Sequence, residues 1–133
     1  MTKILVVEDE SIIAASIAFI LEAEGYEVCF AWDGQQGVTM AETESPDLII
    51  TDHLMPRMDG IAMIRALRDA GLTTPVVLTT AVPEAPLPVE QTVPSAAYDA
   101  YLEKPYRGSR LLEVVRILLA EPSGPAVGIA PRN

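Results

Sequence analysis

Short, unbroken runs of aliphatic residues recur along this chain, and segments with a helical spacing of apolar residues separate them. A run without polar alternation is typical of a strand that is covered on both faces, as strands are in parallel sheets. Helices between such strands supply the crossover connections that parallel pairing needs. The sequence therefore predicts an α/β fold with a doubly wound, five-stranded parallel sheet. The predicted strands are 4–7, 26–31, 47–51, 75–79 and 97–102, and the predicted helices are 11–24, 33–44, 61–70 and 107–120.

Residues 81–96 interrupt this alternation because they contain the four prolines Pro83, Pro86, Pro88 and Pro94. Each proline removes a backbone donor and disfavours helix in the residue before it. We therefore predict that the helix between the fourth and fifth strands is short, displaced or replaced by a loop. Residues 1–120 then form one domain, and the Pro/Gly/Ala-rich residues 121–133 form a flexible tail.

The composition argues against several classes of protein. Hydrophobic residues make up 50% of the chain, which is typical of a globular domain. The formal net charge of −10 repels nucleic acid phosphates, so we expect no direct binding to DNA or RNA. The longest apolar stretch, 12–21, is too short to span a membrane, and we expect no signal peptide before the first strand. These features predict a cytoplasmic protein.

Acidic residues follow the first and third predicted strands at their carboxyl ends. Ligands of open parallel sheets bind at this edge, near the switch in strand order. In the order 2-1-3-4-5 of flavodoxin-like folds, the first and third strands are neighbours, so Glu8, Asp9 and Asp52 crowd into one corner. Carboxylates this close raise each other's pKa unless a cation intervenes. A set of hard oxygen ligands suits Mg²⁺.

The fourth and fifth strands add Thr80 and Lys104 at the same edge. A carboxylate nucleophile, a metal ion, a cationic side chain and a hydroxyl donor are together what phosphoryl transfer requires. Any one of these residues alone is more often an ordinary solvated side chain. Their coincidence at successive strand ends favours a site for phosphoryl transfer.

Several motifs of the chain resemble the response-regulator receiver domain of two-component signalling, over about residues 2–120. The resemblance implies that Asp52 accepts a phosphoryl group from the phosphohistidine of a histidine kinase or a histidine phosphotransfer protein. The motifs that carry it are Val6-Val7-Glu8-Asp9, Asp52 with Met55-Pro56 and Asp59-Gly60, Thr80-Ala81, and Tyr101-Leu102-Glu103-Lys104-Pro105.

The resemblance also implies a magnesium site beside Asp52. Asp9, Asp52 and the backbone carbonyl of Leu54 are expected to bind the ion, and Glu8 is expected to act through a metal-bound water. Leu54 and Val82 are aliphatic where they flank the path of an attacking water, so we predict slow self-dephosphorylation.

The remaining matched residues are expected to respond to the phosphoryl group. Lys104 pairs with its oxygens, and the bond from Lys104 to Pro105 is expected to be cis. Thr80 is the expected switch hydroxyl, and Tyr101 is the aromatic residue whose rotamer follows it. His53 matches no ligand or phosphoacceptor position and is predicted to be an ordinary loop side chain.

The predicted function is a phosphorylation-activated switch that signals through contacts with a downstream protein target, as a monomer or as a phosphorylation-dependent homodimer. It is not an enzyme beyond self-catalysed phosphorylation and dephosphorylation at Asp52. The alternatives are a pseudo-receiver scaffold that acts without phosphorylation, the receiver fragment of a longer regulator, a phosphatase that uses an aspartyl-phosphate, and a flavodoxin-like FMN protein.

Overall fold

The computed structural model of the protein describes residues 2–53, 55, 58–81 and 98–120. They form a parallel sheet of five strands, which are numbered along the chain and ordered 2-1-3-4-5 in the sheet, with four helices in the described part of the chain. The predicted fold and strand order are therefore confirmed. The strands are β1 (Lys3–Val7), β2 (Glu27–Ala31), β3 (Leu48–Asp52), β4 (Val76–Ala81) and β5 (Ala100–Lys104), and the helices are α1 (Ser11–Ala23), α2 (Gly34–Glu44), α3 (Gly60–Asp69) and α4 (Gly108–Ala120).

Two hydrophobic clusters cover the two faces of the sheet, because successive residues of a strand point to opposite sides. Aliphatic side chains of the first cluster pack the sheet against α1 and α4, and those of the second pack it against α2 and α3. Full burial of one such side chain contributes about 1.5–3 kcal/mol. The first cluster includes Ile4, Val6, Ile17, Leu21, Ile50, Val77, Leu111 and Val115, and the second includes Leu5, Val7, Ala41, Ile49, Met63, Ile64, Leu67 and Leu78.

The helix ends follow from local sequence signals. The side chains of Asp33 and Asp59 accept hydrogen bonds from backbone N–H groups three residues later, and so cap the first turns of α2 and α3. Beyond the ends of α1 and α3, Gly25 and Gly71 adopt positive φ angles of 92° and 84°, which glycine reaches without steric cost. The predicted stops of both helices are thus found in the structure.

The fifth strand differs from its predicted bounds of 97–102. It begins at Ala100 because Asp99 closes the start of the pairing: its N–H donates to the Val76 carbonyl, and its carboxylate accepts from the Val76 N–H, each at 2.9 Å. It continues to Lys104 because the backbone keeps pairing with β4 beyond the last apolar side chain. Residues 82–97, which include the four prolines and the predicted first residue of this strand, lie outside the described residues. So does the predicted tail 121–133.

None of the helices in the described ranges combines the length and the apolar character needed to cross a membrane.

Candidate functional site

The register of the sheet brings three acidic side chains together at the carboxyl ends of β1 and β3. Val7 pairs with Thr51, so Glu8 and Asp9 emerge beside Asp52. One carboxylate oxygen from each of the three lies within 4.8 Å of the other two. Glu8 is only 2% exposed, whereas Asp9 is open to solvent. The predicted acidic corner is therefore present, with one carboxylate deeply buried.

Lys104 reaches this corner from the end of β5. Its ammonium donates a hydrogen bond of 2.9 Å to Oδ1 of Asp52, and the backbone N–H of His53 donates to the same oxygen, also at 2.9 Å. The two side chains are 26% and 12% exposed, so the ion pair is partly shielded from water. The following peptide bond, to Pro105, is cis as predicted. Among the described residues, the cluster of three carboxylates therefore has one cationic side chain in direct contact, that of Lys104.

The surroundings of Glu8 destabilise its ionised form. Burial, and then the charge of Asp52, raise the pKa of Glu8 to about 7. The side chain accepts a hydrogen bond from the Glu10 N–H at 3.2 Å, which favours the ionised form but does not offset these effects. An oxygen-rich site with excess negative charge fits a hard divalent cation such as Mg²⁺. Asp9, Asp52 and Glu8 are the described residues that could hold it.

A tyrosine that the sequence interpretation overlooked lies close to these carboxylates. Burial, and then the charges of Glu8 and Asp52, raise the pKa of Tyr106 to about 12. Its ring packs against the first hydrophobic cluster. The sequence signal that could have identified Tyr106 is its position two residues after Lys104, in the segment that leaves the sheet edge.

The two predicted switch residues lie on neighbouring strands at the same edge. The Thr80 hydroxyl oxygen is 3.3 Å from Nδ1 of His53, a contact that the sequence interpretation did not foresee. Tyr101 on β5 is 40% exposed, and its ring meets that of Tyr98 edge to face at a centroid distance of 6.2 Å. His53 lies in the bend after β3, as expected of a loop side chain, and its contact with Thr80 adds to that prediction.

Close backbone contacts hold both ends of the loop between β3 and α3. Gly60 donates to the His53 carbonyl at 2.8 Å, and Gly34 donates to the Met58 carbonyl at 3.2 Å. A Cβ on Gly60 would lie 2.3 Å from the Asp52 carbonyl oxygen, and one on Gly34 would lie 2.3 Å from that of Met58. Both positions therefore require glycine. Within this loop Leu54, whose carbonyl is a predicted metal ligand, lies outside the described residues, as does Val82 beyond β4.

A doubly wound sheet with an acidic corner, a lysine and a hydroxyl at its carboxyl edge defines a class of phosphorylation-dependent signalling domain. The sequence model of the response regulator receiver domain family matches residues 4–116, and the chain belongs to this family. Members are signalling domains rather than enzymes with turnover on external substrates. In general they interact with histidine kinases and downstream targets, and they bind Mg²⁺ at the acidic site.

Curated relatives match the chain over part of their own length. PhoP of Bacillus subtilis, an alkaline phosphatase synthesis transcriptional regulatory protein, is 44% identical over 79 residues, which cover 59% of this chain and 33% of that protein. The transcriptional regulatory protein DltR of Streptococcus agalactiae is 35% identical over 115 residues, covering 86% and 50%. PdtaR of Mycobacterium tuberculosis is 37% identical over 119 residues, covering 89% and 57%.

Solved structures of receiver domains superpose on nearly the whole chain. The receiver domain of a histidine kinase from Syntrophus aciditrophicus has a TM-score of 0.82 and 34% identity, covering 94% of this chain and 98% of that one. A receiver domain from Francisella has a TM-score of 0.79 and 30% identity, covering 90% and 98%. That of a sensor histidine kinase from Pseudomonas aeruginosa, described with a magnesium ion coordinated in the active site cleft, has a TM-score of 0.78 and 27% identity, covering 90% and 98%.

Proposed function

We propose that the chain is a phosphorylation-activated switch whose phosphoacceptor is Asp52. The phosphoryl group comes from the phosphohistidine of a histidine kinase or a histidine phosphotransfer protein. The observation that carries the proposal is the 2.9 Å contact between Lys104 and Asp52 inside a cluster of three carboxylates. A carboxylate becomes a useful nucleophile towards phosphorus when nearby cations neutralise the charge that it approaches.

In the proposed reaction, a carboxylate oxygen of Asp52 attacks the phosphorus of the phosphohistidine. A P–O bond forms while the P–N bond breaks, and the electron pair of that bond returns to the imidazole, which takes up a proton. Lys104, already within hydrogen-bonding distance of Asp52, neutralises charge on the transferring oxygens. The chain itself thus contributes a nucleophile, a fixed positive charge and the positions of both.

The same site is proposed to hold Mg²⁺. Asp9 and Asp52, with the backbone carbonyl of Leu54, are the proposed direct ligands, and Glu8 acts through a bound water. When bound, the ion supplies positive charge that shields the phosphoryl oxygens from the carboxylates. Burial, and then the charge of Asp52, raise the pKa of Glu8, and a bound cation would favour its ionised form, which supports this assignment.

The output is proposed to be a protein–protein contact. Thr80 donates its hydroxyl to the phosphoryl group, and Tyr101 changes its packing in response. Tyr101 suits this role because 40% of its surface is exposed and its described ring neighbour, Tyr98, makes only an edge contact. The partner is a downstream protein target, reached by a monomer or by a phosphorylation-dependent homodimer. The domain spans residues 1–120 in this proposal, with 121–133 as a tail.

Intact-mass measurement after incubation with Mg²⁺ and phosphoramidate tests the proposal. We expect a gain of one phosphoryl group in the wild type and none in Asp52→Asn. Asp69→Asn, an exposed carboxylate at the end of α3, is the matched control and should gain the group as the wild type does. A wild type that gains nothing would instead support a pseudo-receiver scaffold.

A further inference from the structure

The His53 side chain lies beside the Thr80 hydroxyl, and the phosphorylation chemistry described above does not use this contact. Asp52 pairs with Thr79 in the sheet, and the His53 N–H donates to the Thr79 carbonyl at 2.9 Å, which extends the pairing by one residue. His53 therefore falls opposite Thr80. The ring Nδ1 and the hydroxyl Oγ1 are 3.3 Å apart in a partly buried setting, which is the length of a long hydrogen bond.

The strand alternation places this contact in a different row of side chains from the Asp52 carboxylate. Ile50 belongs to the cluster under α1 and α4, and Leu78 belongs to the cluster under α2 and α3. Two residues further along each strand, Asp52 continues the row of Ile50 and Thr80 continues the row of Leu78. In the proposed switch, the hydroxyl leaves this position to donate to a phosphoryl group on Asp52.

We propose that His53 is a positioning residue that holds the Thr80 hydroxyl in this resting place and so opposes activation. The inference rests on the proposed function of Asp52 and Thr80. One ring nitrogen of a neutral imidazole accepts a hydrogen bond and the other donates one, so either tautomer can hold the hydroxyl at Nδ1. In both arrangements the contact is lost when the hydroxyl moves. Removing it therefore shifts the equilibrium towards the phosphoryl-bound form, by roughly two- to tenfold for one hydrogen bond.

Beryllofluoride, added with Mg²⁺, is a non-covalent mimic of the phosphoryl group. Its affinity for the protein measures this equilibrium, and fluorine NMR measures the affinity from the signal of the bound mimic. We expect His53→Phe, which keeps a planar ring without nitrogens, to bind roughly two- to tenfold more tightly than the wild type. His53→Leu serves as a second nitrogen-free variant if His53→Phe is poorly folded by thermal unfolding. His53→Asn keeps a polar atom near the place of Nδ1 and should bind like the wild type.

Thr80→Val separates a hydrogen bond to the switch from a general effect of the ring. In the Thr80→Val background, His53→Phe should leave the affinity unchanged. An affinity of His53→Phe equal to or weaker than that of the wild type overturns the inference, as does the same gain in the Thr80→Val background. These results leave the proposed function standing, provided that the wild type binds beryllofluoride. A wild type that binds none overturns the proposed function, and the role of His53 with it.

Discussion

The ammonium of Lys104 lies 2.9 Å from Oδ1 of Asp52, although 52 residues separate them in sequence. Their strands, β5 and β3, do not pair with each other, because β4 lies between them. The contact arises because parallel strands in register end at one edge of the sheet, and the long lysine side chain crosses the width of one strand.

Replacing Lys104 by Gln should slow phosphorylation by phosphoramidate about a hundredfold, because it removes the cationic donor that stabilises charge on the transferring oxygens. The measurement is the time course of intact mass in the presence of Mg²⁺. Arg110→Gln removes a positive charge from the exposed face of α4, where it pairs with Glu113, and should leave the rate unchanged. Equal rates for Lys104→Gln and the wild type would contradict the role of Lys104.

Replacing Glu8 by Gln should stabilise the metal-free protein at about pH 8 and have little effect at about pH 5. The pKa of Glu8 is about 7 in the folded protein, above its ordinary value of 4.5. Its stabilising contribution is therefore complete below pH 4.5 and is lost as the pH rises through 7. At pH 8 the buried carboxylate is ionised at a cost on the order of 1–3 kcal/mol, which the amide avoids.

Urea unfolding in the presence of a chelator, at both pH values, measures this difference. Glu103→Gln, on the exposed side of β5, is the matched control and should show no such pH dependence. A gain in stability of Glu8→Gln that is equal at both pH values would show that the pKa of Glu8 is not raised.

Replacing Gly34 by Ala should destabilise the fold by about 1–3 kcal/mol, because the added methyl group would lie 2.3 Å from the Met58 carbonyl oxygen and must displace backbone. The free energy of unfolding in urea measures the cost. At Gly108, by contrast, a methyl group would meet only the end of the flexible Ile20 side chain, at 3.1 Å. Gly108→Ala should therefore change the stability little, and a similar cost at both positions would contradict the packing argument.

Replacing Arg68 by Met should cost about 2 kcal/mol of stability, since one guanidinium nitrogen donates to two backbone carbonyls. The acceptors are those of Leu72 and Thr74, each at 2.9 Å, in the connection between α3 and β4. Thermal unfolding of Arg68→Met and of Arg65→Met, an exposed arginine one turn earlier, gives the comparison. A loss no larger than that of the control would show that the connection does not depend on these bonds.

Replacing Leu54 by Asn should speed loss of the phosphoryl group, because an amide can orient an attacking water that leucine cannot. The decay of the phosphorylated mass after removal of phosphoramidate measures the rate. Met55→Asn places the same amide one residue further along the loop and should decay as the wild type does. If the decay in Leu54→Asn is unchanged or slower, the aliphatic residue does not slow the loss of the phosphoryl group.

Most of the fold could be predicted because the aliphatic runs of β1, β3 and β4 are long enough to mark buried strands and end in polar residues. The same runs predicted that Glu8, Asp9 and Asp52 meet, since the first and third strands of this fold are neighbours. The start of β5 could not be predicted in this way. It depends on a hydrogen bond between the Asp99 side chain and the Val76 backbone, and the spacing of apolar residues does not predict such a contact.

Most strand bounds and the residue types at the carboxyl edge could be read from the sequence, because they follow from local hydrophobic pattern, and the strand order followed from the likeness of the alternating pattern to flavodoxin-like folds. The contacts between those groups depend on the tertiary structure. It buried Glu8 to 2% exposure and raised its pKa, joined Lys104 to Asp52, and placed the His53 ring at the Thr80 hydroxyl. Each of these depends on strand register and side-chain direction, which distant parts of the chain fix together when they pack.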